Sequence, residues 1–281
     1  MGDETSGGAR VFGMVRRKAP GQRGLDQFYS GLLSGVDRVL DEEGASIVVH
    51  IVASLDEEVA TYRRWAAAGE IEAVVLSDMV EDDPRPALCH ELSLRAVAVG
   101  EVDGDGQSVR VNNDRAMADA VAFLDELGHR SIGHVTGPRE LSHTIARERA
   151  FEREIAARGL CGGAVEGDYG EQSGRECTAR LLDDEAGFTA LVFDNDLMAA
   201  AALDVAAERG IVVPDELSVL AWDDSAVCQL ATPALSAVSR DVLGLGELVA
   251  RALLDPDAAA ESVTQDVVIV ARASTAPPAE S

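Results

Sequence analysis

The chain has 281 residues, 47% of them hydrophobic, and 50 acidic against 24 basic residues give a formal net charge of −26. That apolar content supports a packed core and excludes a compositionally disordered chain, and no apolar run reaches the roughly 18–20 residues that a membrane span needs. So acidic a surface repels polyphosphate, which excludes nucleic-acid binding through the general field and leaves Arg16-Arg17-Lys18 and Arg147, Arg149 and Arg153 as local basic clusters.

In chain order, Arg10–Val15 reads as a strand. A helix follows over Leu25–Glu43, with Phe28, Leu32, Leu33, Val36, Val39 and Leu40 on one face and Gly44 in the position that ends it. Ser46–Val52 is a strand, Asp56–Ala68 a helix closed by Gly69, and Ala73–Leu76 and Arg95–Gly100 are further strands. The alternation repeats with helix Asp114–Leu127 before Gly128, strand Ser131–Thr136, and helix Ser142–Arg158 stopped by Gly159. Helix Gln172–Leu182, strand Ala190–Phe193, helix Leu197–Arg209, strand Leu217–Trp222, helix Asp241–Leu254 and strand Asp266–Val270 complete it. Apolar strands without alternation, set between helices, predict parallel sheets covered on both faces. The number of units fits two doubly wound α/β lobes with a break near Gly128. A single (β/α)8 barrel is also compatible on counting. Ligands of open α/β sheets sit at the carboxyl ends of strands, which points to the residues after Val15, Phe193 and Trp222.

Those positions carry polar groups that also have simpler readings. In FDND (193–196), Asp196 suits the cap of the next helix and Asn195 is the residue left to face a ligand. In WDD, Asp223 and Asp224 form an acid pair without the third acid and lysine that phosphoryl chemistry uses. No lysine occurs after Lys18, which also argues against Schiff-base catalysis. Tyr169 in GDYGEQSG (167–174) is an aromatic on a loop, suited to stacking on a sugar or to a surface. His129, directly after the helix-ending Gly128, reads as a cap or supporting residue. Walker and dinucleotide loops and nucleophile elbows are absent from the sequence. Cys89, Cys161, Cys177 and Cys228 have no metal-ligand or disulfide spacing, so free thiols are expected. No catalytic residue, metal or cofactor is assigned.

Taken together, Val111-Asn112-Asn113-Asp114, LGHRSIGHVTGP (127–138), ARERAF (146–151), GDYGEQSG and the long block 193–246 resemble the effector-binding core of the LacI/GalR family of bacterial transcription regulators. QFYSGLLSGVD (27–37) is similar to its first helix, and the resemblance spans about residues 10–272. It implies a fold of the periplasmic-binding-protein type, with residues 1–127 and 240–262 in one lobe, 128–239 and 263–281 in the other, and three crossings between them. It implies a ligand site made by Arg147, Asn195, Asp223, Tyr169, Phe28, Arg16, Arg17 and Asp114, the last able instead to cap its helix. A sugar fits such a set, because it takes paired donors and acceptors beside a flat apolar face.

The basic run Arg16-Arg17-Lys18 departs from the family's pattern and predicts an effector with a negative group, such as a sugar acid or phosphate. Ala150 stands in place of the usual glycine and Val242 in place of an aromatic. The resemblance further implies a homodimer with contributions from Phe28–Leu40 and 241–254, a cytoplasmic location consistent with an N-terminus lacking a secretory signal, and operator DNA bound only through a helix-turn-helix domain that this sequence does not contain. The rival readings are a periplasmic-type sugar-binding protein of a transporter and an α/β enzyme.

Overall fold

A computed structural model describes residues 10–17, 27–100, 107–255, 263–265 and 267–279. The chain runs β1 (Val11–Arg17), α1 (Gln27–Glu42), β2 (Ser46–Val52), α2 (Leu55–Ala68), β3 (Ala73–Leu76), α3 (Pro84–Glu91), β4 (Arg95–Val99) and β5 (Gln107–Val111). It continues through α4 (Asn113–Glu126), β6 (Ser131–Thr136), α5 (Ser142–Arg158), β7 (Cys161–Glu166), α6 (Glu171–Leu182), β8 (Ala190–Phe193), α7 (Asp196–Glu208) and β9 (Ser218–Trp222). The last elements are α8 (Ala226–Leu230), β10 (Ser236–Arg240), α9 (Val242–Leu254), β11 (Val263–Gln265) and β12 (Val267–Val270).

Two units result, Met1–Val111 with Asp241–Thr264 and Asn112–Arg240 with Gln265–Ser281, so the chain passes between them three times. The crossings fall at residues 111–112, 240–241 and 264–265. α4, expected in the first lobe, belongs to the second unit. Its Met117, Ala120, Val121 and Leu124 are buried with Phe151, Leu220 and Trp222. The glycine that ends α4 looked like a boundary, but the apolar face of α4 decides which sheet it covers.

In the first unit the sheet order is β11-β5-β4-β3-β1-β2, and β1–β2, β1–β3, β3–β4 and β4–β5 pair in parallel. Helices α1 and α9, both expected at a dimer contact, pack on one another within this unit. Glycines make the close crossing possible. A Cβ on Gly35 would overlap the carbonyl oxygen of Leu243, and one on Gly246 that of Leu32.

The second unit repeats the order as β12-β10-β9-β8-β6-β7, parallel except for β12, which runs antiparallel to β10. Its central strands ALVF and SVLAW are buried throughout, because helices cover both faces. Leu191 and Phe193 point into the core shared with α6 and α7, Ala190 and Val192 into the one shared with α4 and α5. His129 is buried beneath the C-terminal segment, with Nδ1 2.9 Å from the Thr189 hydroxyl and Nε2 3.0 Å from the Ala276 carbonyl. Burial lowers its pKa.

Each sheet reverses its order once, between β1 and β3 in the first unit and between β6 and β8 in the second. At such a point the loops leave the strand ends in opposite directions and open a crevice where ligands of these sheets bind.

Candidate functional site

At the reversal in the second unit, β8 ends on Phe193 and the next residue, Asp194, turns its carboxylate inward, fully buried. Oδ2 accepts from the Gly137 amide at 3.0 Å, just past β6. Oδ1 accepts from Nε2–H of His134, a buried residue of β6, at 2.9 Å. Arg147 reaches the same carboxylate from α5, Nη1 lying 3.6 Å from Oδ1, and donates to the Asp194 carbonyl at 3.2 Å. Its Nε donates to Asn113 Oδ1 at 2.9 Å, and its guanidinium carbon lies 3.9 Å from the centroid of the Trp222 ring. Burial pushes the Asp194 carboxyl up, but the charge of Arg147 and the hydrogen bonds from His134 and the Gly137 amide outweigh it and hold it at about 2. Asp194 went unnoticed in the sequence reading. The signals for it were a histidine inside the apolar strand SIGHVT, which needs a buried partner, and an acid as the first residue beyond a central strand.

Asn195 is extended and caps α7: Oδ1 accepts from Met198 N–H at 3.0 Å, and Nδ2 donates to the Tyr169 carbonyl at 2.9 Å. The cap expected of Asp196 is therefore made by Asn195. Asp196, in the first turn, accepts from the Ser225 hydroxyl instead, and burial raises its pKa, helped by the neighbouring charge of Asp223.

Asp223 follows β9 with a left-handed backbone, φ 68°. Its carboxylate takes a two-pronged ion pair from Arg240 at the end of β10, at 2.6 and 3.0 Å. Ser225, not the acid pair, caps α8, and Asp224 turns elsewhere. Its Oδ2 accepts from Arg272 at 2.7 Å, which ties down the C-terminal segment. The acid pair thus faces two arginines. Among the described residues no group of three or more His, Cys, Asp or Glu side chains is placed to hold a metal ion.

Tyr169, also left-handed at φ 67°, lays its ring against Gly137, where any Cβ would overlap it. Its hydroxyl lies 2.8 Å from His143 Nε2 and 3.2 Å from Thr144 Oγ1. Asp114 is not part of this group. It is exposed in the first turn of α4, 3.6 Å from Arg153, and the cap of α4 is Asn112. Helical spacing turns Asp114 outward, while its neighbour Asn113 reaches Arg147.

In the first unit the reversal again carries an arginine and an acid. Arg16, in β1, pairs with Asp78 just past β3. Its guanidinium lies over the Tyr29 ring, 3.3 Å from the centroid, and the Tyr29 hydroxyl donates to Asp78 at 2.7 Å. Burial, then the charge of Asp78, pushes the Tyr29 hydroxyl well above its ordinary pKa. Phe28 is half-buried and meets Tyr29 edge-on. Arg17 lies 3.1 Å from buried Glu58, which also accepts from Tyr62 and Arg85, and Arg85 donates to the Asp78 carbonyl at 2.9 Å. The arginines expected to attract an anion therefore each face a carboxylate; Lys18 lies outside the described residues.

The family described as "Periplasmic binding protein-like domain" matches residues 121–275. A solved LacI family transcriptional regulator from Bifidobacterium animalis subsp. lactis DSM 10140 superposes with a TM-score of 0.88 at 31% identity, covering 96% of this chain and 99% of that one. The chain belongs to the LacI family. Among sequences, this LacI-family core is similar to the HTH-type transcriptional regulator CelR of Thermobifida fusca, 28% identical over 237 residues that make up 82% of this chain and 69% of CelR. A structure described as a transcriptional regulator CelR–cellobiose complex has a TM-score of 0.86 at 25% identity, over 95% of this chain and 85% of that one. The chain spans 56–69% of the length of the first curated relatives it matches. These relatives are regulators rather than enzymes, and no described helix is long and apolar enough to cross a membrane.

Proposed function

We propose that this LacI-family core binds a small, uncharged, polyhydroxylated effector, a sugar or close derivative, and that in a complete regulator it passes that occupancy to operator DNA as a homodimer. One observation carries the reading. The second unit groups Arg147 with Asn113 and Asp194, and Asp223 with Arg240, as charge-neutral donor–acceptor groups, with the ring of Trp222 under Arg147 and the hydroxyl of Tyr169 on His143. A hydroxyl donates and accepts at once, so it satisfies both partners of such a pair, whereas a carboxylate or phosphate leaves the acid repelled. This favours neutral sugars over the acidic effector that the basic run suggested. The cellobiose bound by the CelR structure supports the same class.

A thermal-shift screen tests it, with cellobiose, ribose, other mono- and disaccharides, sugar acids, sugar phosphates and nucleosides. A ligand at 100 times its Kd adds about 2.7 kcal/mol of stability. Asp223→Asn and Arg147→Lys are each expected to suppress the shift by a neutral sugar. A response confined to sugar acids or phosphates, or undiminished in both variants, overturns the reading. Sedimentation of the chain tests the dimer, whose apolar candidates are exposed Val48 and Ile51 on the edge strand β2.

A further inference from the structure

We propose that Asp194, anchored by His134 and the Gly137 amide, is a specificity-determining residue: its carboxylate cancels the charge of Arg147, so that the second unit selects uncharged ligands and rejects anionic ones. The proposal rests on the reading of Arg147 as a ligand contact.

The geometry separates two roles. Position comes from three directions, since Arg147 is held by Asn113 through Nε, by the Asp194 carbonyl through Nη1, and by the Trp222 ring beneath it. Charge comes from one, the Asp194 carboxylate at 3.6 Å. That carboxylate is itself immovable. It is fully buried, one oxygen is held by the Gly137 amide and the other by His134. His134 is equally buried within β6, and its Nδ1 has no hydrogen-bond partner among the described residues. A strand residue so enclosed gains little from being a histidine unless Nε2–H is needed where it is, on Asp194. An arginine with an exposed guanidinium and no acid is the usual device for taking a carboxylate or phosphate. Here the arginine and the acid are both buried, where solvent screening is weak and the two charges cancel.

The experiment compares the parent with Asp194→Asn, Asp194→Glu and the double variant Asp194→Asn, Arg147→Gln. The probes are galactose, galacturonate, cellobiose and inorganic sulfate, with sodium chloride at matched ionic strength as the reference. Asp194→Asn is expected to gain stabilisation by sulfate that the parent lacks, and to shift any preference between galacturonate and galactose at least tenfold towards the acid. The double variant, with both charges gone, is expected to lose that gain. Asp194→Glu keeps the charge, so it is expected to go on rejecting sulfate. Sulfate or galacturonate acting on Asp194→Asn no more than on the parent overturns the proposal.

Should Asp194→Asn fail to fold, two measurements carry the test. One is Asp194→Glu against sulfate, where a gain of sulfate binding overturns the charge role. The other is the emission of Trp222 in a Trp65→Phe background, which leaves one tryptophan of the two in the chain, stacked under Arg147. Asp194→Glu, one methylene longer, is expected to move that emission, and an unmoved spectrum overturns the pairing of the Asp194 carboxylate with Arg147. Arg147→Lys keeps the outcomes apart. If it responds to a bound sugar as the parent does, the ligand contact itself is misassigned. If it is impaired while Asp194→Asn stays indifferent to anions, only the role of Asp194 fails.

Discussion

Asp194 also sets an acid limit on the fold. Its carboxyl, raised by burial but lowered further by Arg147, His134 and the Gly137 amide, sits at about 2 against an ordinary 3.8. The unfolded chain therefore takes up this proton at a higher pH than the folded one. The stability that the ionised form contributes is complete above about pH 4 and is lost as the pH falls through the folded value near 2. The shift corresponds to about 2 kcal/mol. Urea unfolding at pH 5 and at pH 2.5 checks it: the parent is expected to lose more stability across that interval than Asp194→Asn, by about that amount, and equal losses would remove the assignment. The difficulty of seeing Asp194 in the sequence has a physical source. Asp194, Asn195 and Asp196 are consecutive polar residues at a strand end, and whichever of them turns inward depends on what the neighbouring strand offers. Here β6 offers a histidine and a free amide. Arg147, Asn195, Asp223 and Tyr169 lie in one unit, but their partners Asn113, Asp194 and Arg240 are visible only once the sheet is assembled.

Elements were legible where burial is two-sided. The uninterrupted apolar runs Ala73–Leu76 and Ala190–Phe193 are interior strands with the bounds expected, and Gly44, Gly69 and Gly159 end their helices in the left-handed conformation. The strands passed over are those whose composition hides them: β7 at a sheet edge carries Gly162 and Gly163, and β5 and β10 mix serine and arginine with valine. Short α3 and α8 offered too few turns for a period. The cap of α7 gives a direct check. Asn195→Ala removes the acceptor for Met198 N–H and the donor to Tyr169, and is expected to cost about 1–2 kcal/mol, whereas Asn195→Asp keeps the cap and costs less. Chemical denaturation distinguishes them, and equal losses would show that the Tyr169 bond, not the cap, matters. The crossing of α1 and α9 gives a second check. Gly35→Ala forces a methyl group onto the Leu243 carbonyl, which is backbone and has nowhere to retreat. A loss of about 1–3 kcal/mol is expected. At exposed Gly44, where a Cβ meets nothing but the backbone is left-handed, alanine is expected to cost less. A larger loss at Gly44 than at Gly35 would mean that the helices part easily.

For the whole molecule, net charge and ion pairing pull in opposite directions. A charge of −26 loads the folded chain with repulsion that expansion relieves. Against it stand pairs such as Asp223–Arg240 and Asp224–Arg272, at 2.6 and 2.7 Å and mostly shielded from solvent. Salt discriminates between them by distance. The screening length is about 10 Å at 0.1 M, so diffuse repulsion between acids spread over the surface is damped while close, sheltered pairs are barely touched. Raising sodium chloride from about 20 to 300 mM is therefore expected to raise the thermal midpoint, the regime being set by the same screening. A falling midpoint would put the exposed pairs, Arg175–Glu208 and Arg209–Asp183 among them, ahead of net charge. The same field governs contact with DNA. The local basic cluster of α5 does not escape it, because Arg147 is buried against Asp194 and Arg153 lies between Asp114 and Glu154. Non-specific affinity comes from cations that release counterions from phosphate. This chain is therefore expected to leave the mobility of a random duplex unchanged at about 0.15 M salt, the screening condition of a cell. Retardation that weakens steeply with added salt would reveal a basic surface outside these clusters, and would assign part of operator binding to the core itself.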